Sequence, residues 1–404
     1  MAGKKMIAVF FGGRSPEHDV SVVTALQVMS ALDPDTYDVL PVYLAADGTW
    51  WTGDLLRDRA AYLPGPEQFA HLMQVTLDMT AKGRPALVGR KSQILRRAAE
   101  FEFDVAVPSF HGLIGEDGNI QGTFETAGIP YTGMRTLASA ILMDKVATKR
   151  ILAATDIPIL PHREIRRPQE GLLISDTELA DIVDNFKGPW CVKPSHLGSS
   201  IGVARAETVQ EISDVLPEIF KYDTAAILEP FVDNMVEYNI AVAKAFGGLR
   251  TSAIECPKRS SELLDFKQKY LSGGTKKSGG GKVPGQSASQ GMLSLTRELN
   301  PKIRPTLEDK IRTWAEIAFE TVAGTGAPRI DFIANEATGE IWLNEVNPCP
   351  GSFGYFLWQA LGVKPLLFPD LLDGLIKEAI DEATRSKLSL DPTPKDARLF
   401  SRRG

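Results

Sequence analysis

The chain is poor in cysteine and histidine, and it lacks any long apolar run. Its three cysteines, Cys191, Cys256 and Cys349, stand far apart and form no CxxC pair, which argues against a zinc framework. A sparse, odd count suits a reducing compartment. Near the N-terminus, Met6 to Phe11 is apolar and is followed by Gly12-Gly13. That run is too short for the apolar core of a signal peptide or for a membrane span. The expectation is a cytoplasmic protein with no membrane partner. The net charge of −6 shows no overall basic balance, so nucleic acid is not an expected partner either. Two familiar nucleotide loops are missing. No GxxxxGK[ST] occurs: "GRPALVGRKS" (83–92) has the wrong spacing, and "SGGGKV" has no Ser or Thr after its lysine. No GxGxxG follows a strand, and there are no internal repeats.

What is present is globular. The chain has 404 residues, 43% of them hydrophobic and 24% charged, enough for two or three domains with cores of their own. "KKMIAVFFGGRSPEHDVSVVTALQVMSAL" reads as a buried strand, a glycine turn and a helix from about Glu17. "YDVLPVYLAADGTWW" gives a second strand turning at Ala46-Asp47-Gly48. "FDVAVPSFHG" gives another, ending in a loop at His111 and running into the helix-like "GEDGNIQGTFETAGI". Strands alternating with helices predict a parallel α/β sheet, whose ligands bind beyond the strand C-terminal ends. This first domain spans 1–134, with a less regular elaboration over about 54–98. "SAILMDKVATKRILAATDI" predicts one amphipathic helix. "PWCVKPSHLGSSIGVARA" predicts strand, glycine-bearing loop and strand, in a second domain over 135–229. The third, 230–386, carries a loop at about 260–290 with the Gly/Ser/Lys-rich insert "YLSGGTKKSGGGKVPGQSASQG". A loop of that length is commonly functional or disordered. This domain closes with a hairpin, "APRIDFIANEATGEIWLNEVNPCPG", and a helix. Residues 387–404 read as a frayed tail.

Side chains alternate along strands. Arg329 therefore shares a face with Asp331, and Glu345 with Asn347. A hairpin register centred on Thr338 sets Asp331 opposite Glu345. Three oxygen ligands without His or Cys favour Mg²⁺, completed by water and phosphate oxygens. A solvated sheet face fits the hairpin alone equally well. "VKPSHLGSSIGV" follows Lys193 with Gly198, Ser199 and Ser200, backbone and hydroxyl groups suited to phosphate, though an ordinary hairpin turn fits as well. Glu229 ends an apolar run before Pro230-Phe231-Val232, with Glu237 beyond it. Carboxylates there could accept from an adenine amine and from ribose hydroxyls, or simply face water. Lys145 lies on a helix, where lysines are ordinarily surface residues. His111 sits at a strand C-terminal end, a favourable place for a functional histidine. His71 and His162 lack such a context. His18 and His196 adjoin motif residues and are given no role.

The order of "GGRSPEHDVS", "FHGLIGEDGNIQG", "YTG", "MDK", "VKPSHLGSS", "LEPFV", "DFKQKYL", "RIDF" and "NEVNPCPG" resembles the D-alanine–D-alanine ligase family, within the ATP-grasp fold, from about residue 5 to 375. The resemblance implies a three-domain α/β ATP-grasp ligase with a Rossmann-like N-terminal domain. It implies phosphorylation of one D-alanine by ATP and attack of a second on the acylphosphate, in peptidoglycan precursor synthesis. By resemblance, Asp331, Glu345 and Asn347 are ligands of two Mg²⁺ ions, with Mn²⁺ as an alternative metal. Lys145, Lys193 and Lys269 contact phosphates. Glu229 and the backbone at Phe231 and Val232 hold adenine, and Glu237 holds ribose. Arg329 and the Gly351 N–H stabilise the oxyanion. Glu17 receives the donor ammonium, with Tyr270 and Ser199 as its partners, and a lid starting at "LLDFKQKYL" closes over the site. The implied partners are D-amino acids and, as the family commonly shows, a second copy in a homodimer.

Two departures stand out. The family's run after the last glycine is hydrophobic–Thr–x–x–Ser, and its serine falls at Phe356 here. A lost hydrogen bond to a charged group costs about 1.5–3 kcal/mol. Either Ser352 or Tyr355 compensates, or the acceptor is not plain D-alanine. An acidic residue usual in the lid is Lys267. These departures keep open a related ligase with another acceptor or donor. A nucleotide-binding protein without turnover is argued against by the intact set of Glu17, Lys193, Arg329, Asp331, Glu345 and Asn347.

Overall fold

The structure, a computed structural model, describes residues 3–59, 66–80, 83–90, 98–198, 202–257 and 297–387, with 393–394 and 397. Three sheets organise it. The first has the order β6-β5-β4-β3-β2-β1-β7. Its centre is β1 (Lys5–Gly12), buried from Ile7 onward. Each fully buried Ile, Val or Phe there contributes about 1.5–3 kcal/mol. β1 runs parallel to β2 (Tyr37–Leu44) and β7 (Val105–Pro108). It ends at Gly12, where a Cβ would lie 2.3 Å from the Leu44 carbonyl at φ +95°, so only glycine fits. α1 (His18–Ala31) follows, with Val22, Ala25 and Val28 packed against Phe11 and Val107. Glu17 stands at its N-cap position, within a residue of the predicted helix start, and its side chain makes no capping hydrogen bond.

The less regular elaboration expected over about 54–98 carries two strands that extend this sheet, with one further strand on either side of it. β3 (Trp50–Thr52), β4 (Met73–Leu77), β5 (Ala86–Gly89) and β6 (Glu100–Glu102) add antiparallel strands, with a short helix α2 (Pro66–Phe69) between β3 and β4. β4 buries a single residue, Val75, so alternation was too faint to read. α3 (Asn119–Ala127) packs Ile120 and Phe124 below the sheet with Phe10.

The predicted single helix over 139–157 is two: α4 (Thr136–Met143) and α5 (Lys145–Leu152). Asp144 breaks it. Its backbone is extended and its carboxylate accepts from the Val146 and Ala147 N–H groups, an N-cap that opens a new helix.

The second sheet, β10-β9-β11-β8, is antiparallel. It holds β8 (Arg163–Arg166), β9 (Trp190–Pro194), β10 (Ala204–Ala206) and β11 (Ala225–Pro230). α6 (Asp176–Ile182) and α7 (Val209–Ile219) cover it through Leu179, Ile212, Leu216 and Ile219. The third, β14-β13-β12-β15-β16, comprises β12 (Met235–Ala243), β13 (Arg250–Pro257), β14 (Arg297–Leu299), β15 (Arg329–Asn335) and β16 (Ile341–Asn347). α8 (Pro305–Thr321) packs on it, as do α4 and α5 through Leu142 and Leu152. After β16 the chain crosses to the first sheet's core, where Phe353, α9 (Tyr355–Gln359) and α10 (Phe368–Arg385) join α1. That crossing brings the 348–356 segment against the loop at His111. No helix among the described residues is long and apolar enough to cross a membrane.

Candidate active site

A cleft opens between the second and third sheets. Lys145, Lys193, Glu229, Phe231, Val232 and Glu237 all line it, together with Glu345. The predicted nucleotide residues within the described structure thus share one cavity. Lys269, Tyr270, Lys267, Ser199 and the predicted lid lie outside the described residues.

Lys145 departs from the surface residue its helix suggested. As the first residue of α5 it is 8% exposed, its Nζ donates to the Leu197 carbonyl at 2.7 Å, and it stands 3.4 Å from Glu345 Oε2. Lys193, on β9, donates to Asn344 Oδ1 at 2.8 Å and pairs with Glu229 Oε2 at 2.7 Å. Burial opposes its charge, but the Glu229 carboxylate outweighs that and holds its pKa above the ordinary value. The other Glu229 oxygen pairs with Lys149 at 2.5 Å. Burial would raise the Glu229 pKa, yet Lys193 and Lys149 bring it down to about 2. Lys149 is itself pushed below the ordinary lysine value by burial. Sequence reasoning missed Lys149. It sits one helical turn after Lys145 in "MDKVATK", a spacing that puts both on one face of α5. The Phe231 N–H donates to the Pro189 carbonyl at 2.8 Å, which fixes the strand end beside Glu229.

The hairpin holds the acidic row. Asp331 faces Glu345 and Arg329 faces Asn347, the register centred on Thr338. Beyond Asp331 the register slips, because a bulge makes Asn344 an extra residue. Consecutive side chains Asn344 and Glu345 therefore both line the cleft. Strict alternation had assigned Asn344 to the other face. Arg329 grips Asp331 with two bonds, Nε to Oδ1 at 2.7 Å and Nη2 to Oδ2 at 2.6 Å. Asn347 Nδ2 donates to the same carboxylate at 2.9 Å. Burial, set against Arg329 and assisted by the charges of Glu345 and Glu237, raises Asp331 to about 7. Glu345 goes the other way. Burial would raise it, but Lys145, Lys193 and Arg329 lower it.

These residues fit a hard divalent cation. No cluster of three His, Cys, Asp or Glu is drawn together among the described residues. The set is two carboxylates and an amide, a number that suits Mg²⁺ when phosphates and water complete the shell. Asp331 is raised to about 7 first by burial, and the Glu345 and Glu237 carboxylates beside it add negative charge that a cation would offset.

Glu17 lies where three segments meet. A Cβ on Gly112 would come within 2.7 Å of its Oε2, and one on Gly198 within 3.2 Å of its Oε1. Two glycines therefore let two loops close on one carboxylate. Glu116, another residue missed in sequence, ties the neighbouring loops. Its Oε2 accepts from the Gly112 N–H at 2.7 Å and its Oε1 from the Cys349 N–H at 2.9 Å. Burial, then Glu17, push it up to about 8. His111 is buried behind this junction and lowered by burial to about 4, hence neutral. It hydrogen-bonds the Cys349 backbone and the Thr24 hydroxyl, and Thr24 Oγ1 accepts from the Ser352 N–H at 3.1 Å. The loop carrying Gly351 is thus held from behind, with Ser352 and Phe353 at φ +49° and +55°. The Ser352 hydroxyl donates to the Gln27 side-chain oxygen. The Tyr355 ring stacks on Phe368 at 4.7 Å. Phe356 instead lies beneath a cation, with the Arg297 guanidinium 4.1 Å above its ring and 3.3 Å from Glu255.

Comparison with known proteins decides the family. The family model described as D-ala D-ala ligase N-terminus matches residues 6–134, and that of the D-ala D-ala ligase C-terminus matches 151–377. The chain belongs to the D-alanine–D-alanine ligase family. It is similar to the D-alanine–D-alanine ligases of Thermosipho africanus (31% identical, covering 95% of each chain) and Streptomyces griseus (32%, 94% of each). Among solved structures it resembles the D-Ala:D-Ser ligase VanG of Enterococcus faecalis (26% identical, TM-score 0.73, covering 93% of this chain and all of that one). The fold also matches the Bacillus anthracis D-alanine–D-alanine ligase complexed with ATP (20% identical, TM-score 0.61, covering 95% of this chain and all of that one).

Proposed function

We propose that this ligase-family chain joins two D-alanines at the expense of ATP, giving D-alanyl-D-alanine, ADP and phosphate for peptidoglycan precursors in the cytoplasm. The observation that supports the reading is the cleft that the six nucleotide residues line together with Glu345, which the hairpin register sets opposite Asp331 and beside the Arg329–Asn347 pair. Lys145 and Lys193 hold the phosphates, with Lys269 from beyond the described residues. Glu229 and the backbone around Phe231 and Val232 hold adenine, and Glu237 takes the ribose. Asp331, Glu345 and Asn347 would hold Mg²⁺, which would neutralise charge on the transferred phosphoryl group.

Glu17 takes the donor ammonium, supported by Ser199 and Tyr270. The donor carboxylate attacks the γ-phosphorus and ADP leaves. The second amine then attacks the acylphosphate carbonyl. Arg329 and the Gly351 N–H hold the oxygen on which negative charge develops, an arrangement worth several kcal/mol. Phosphate departs, the attacking nitrogen gives up a proton to solvent, and the amide remains. His111 and Glu116 act as positioning residues for the Gly351 loop.

The test supplies ATP, Mg²⁺ and a panel of D- and L-amino acids, follows phosphate release and weighs the product. D-Ala-D-Ala as the dominant dipeptide is expected, and turnover only with another amino acid overturns the substrate assignment. Glu345→Gln is expected to cut kcat by about 10²–10³ with the fold intact. Near-normal turnover refutes its place at the metal.

A further inference from the structure

His196 received no role from the sequence, yet it joins two segments that carry the phosphate-binding lysines. Its Nδ1 lies 2.7 Å from Asp223 Oδ1, and its backbone N–H donates to Asp223 Oδ2 at 2.7 Å. Asp223 is anchored in turn, because its Oδ1 accepts from the Thr224 N–H at 2.6 Å and the Ala225 N–H at 3.2 Å, at the start of β11. The other ring nitrogen, Nε2, lies 3.6 Å from Asp144 Oδ2. Asp144 is the N-cap of α5, and the next residue is Lys145. The chain on either side of His196 also touches Lys145: the Ser195 carbonyl accepts from its N–H at 3.0 Å and the Leu197 carbonyl from its Nζ at 2.7 Å. One residue further, Gly198 closes on Glu17.

We propose that His196, as an imidazolium bridging Asp144 and Asp223, is a positioning residue that locks the start of α5 to the loop after β9 and so fixes Lys145 for the nucleotide phosphates. A single ring spans two acidic groups on separate elements, and both nitrogens must carry protons to serve both. A neutral imidazole has one donor and would leave one carboxylate facing a lone pair. Among the described residues, the charged groups facing the ring are Asp144 from the α4–α5 junction and Asp223 from the turn into β11. The carboxylates of Asp144 and Asp223, the second hydrogen-bonded and the first an ion pair at 3.6 Å, raise His196 to about 9. Because the folded value lies above the ordinary 6.5, the clamp is complete below that pH and is lost as pH rises through about 9.

The inference rests on reading Lys145 as a phosphate ligand, and the experiment separates the two. Binding of ATP with Mg²⁺ is measured by calorimetry for wild type, His196→Gln, His196→Arg and Lys145→Met, from pH 7 to 10. A lost charge-assisted hydrogen bond predicts about a tenfold rise in Kd for His196→Gln at pH 7.5. His196→Arg, which keeps a permanent charge, is expected to stay within about twofold of wild type. Wild-type Kd is expected to rise between pH 8 and 10, and that of His196→Arg to rise less. If Lys145→Met weakens ATP while His196→Gln binds like wild type, the clamp is refuted and the site reading stands. If Lys145→Met binds like wild type, both fail. Should the Gln variant not fold, an equal alkaline rise in wild type and His196→Arg overturns the proposal.

Discussion

Removing the carboxylate of Glu229 should destabilise the protein more than any other single change in the cleft. Glu229 is 1% exposed and lies between two buried ammonium groups, Lys149 at 2.5 Å and Lys193 at 2.7 Å. Two routes give its magnitude. Its pKa falls from 4.5 to about 2, and at 1.36 kcal/mol per unit this corresponds to roughly 3 kcal/mol of folded-state stabilisation. Independently, breaking a buried ion pair costs about 3–5 kcal/mol, because the partner is left charged and unsolvated. Glu229→Gln keeps the shape and removes the charge. It should lower stability by about 3–4 kcal/mol at pH 7, on the order of 10 °C in Tm. The sign with pH follows from the depressed folded value. The contribution is fully present above pH 4.5 and vanishes as pH falls towards 2, so wild type and variant should converge in acid. Adding Lys149→Met to Glu229→Gln should recover about half the loss, since one of the two stranded cations is then gone. Denaturant unfolding at pH 7 and pH 3 tests both statements. A Glu229→Gln penalty below about 1 kcal/mol at pH 7 would refute the reasoning.

Two further outcomes concern the Glu17 junction. Gly198→Ala places a Cβ 3.2 Å from Glu17 Oε1, while Gly112→Ala places one 2.7 Å from Oε2 at a backbone φ of +75°. Donor KM should rise modestly for the first, and the second should lose about 1–3 kcal/mol of stability, so equal behaviour in steady-state and thermal assays counts against the packing argument. Glu116 is raised from 4.5 to about 8, so the folded state holds its proton more tightly than the unfolded one, and wild-type stability should fall as pH climbs between those values. Glu116→Gln removes that titration, and its stability deficit should be smaller at pH 8 than at pH 5. A constant deficit in urea melts at the two pH values speaks against the raised pKa.

How much of this was legible depended on whether partners followed a local period. Asp331, Glu345 and Asn347 were found because strands alternate, and the Thr338-centred register holds at their end of the hairpin. Asn344 was missed because a bulge breaks that period at the place where function uses it. Lys145 looked like a surface lysine because the sequence shows one continuous helical pattern there. The cap at Asp144 restarts the helix and turns its first residue into the cleft. Lys149 came with the same error. Glu116 and His196 lie in loops, and their partners Cys349 and Asp223 are distant in sequence, so no periodicity announces them. The antiparallel β4 was hidden by thin burial, and β5 by its length of four residues. Ser352 was offered as a substitute for a missing serine, and its link to Gln27 is a long-range contact the sequence does not signal.

Charge balance in the cleft leads to a last prediction. Among the described residues, the cations Lys145, Lys149, Lys193 and Arg329 are matched by the carboxylates Glu229, Glu237, Asp331 and Glu345, and Arg205, which also lines the cleft, pairs with Glu207 and Asp233, so the described part of the cleft is close to neutral. A triphosphate brings about four negative charges into surroundings where two unit charges 4 Å apart interact by about 4 kcal/mol. Each ammonium here is already partnered by a carboxylate, so binding phosphate means leaving one pair for another, with little net gain. Divalent cations held by Asp331, Glu345 and Asn347 change that balance, because they bring the positive charge that the paired lysines no longer offer. ATP affinity should therefore fall by at least about a hundredfold when Mg²⁺ is replaced by a chelator. It should fall much less in Asp331→Asn/Glu345→Gln, where two opposing charges are gone. Calorimetric titration of ATP with and without Mg²⁺ decides it. A Kd that changes less than about threefold on chelation would mean that the lysines alone bind the phosphates and that the acidic row serves some other purpose.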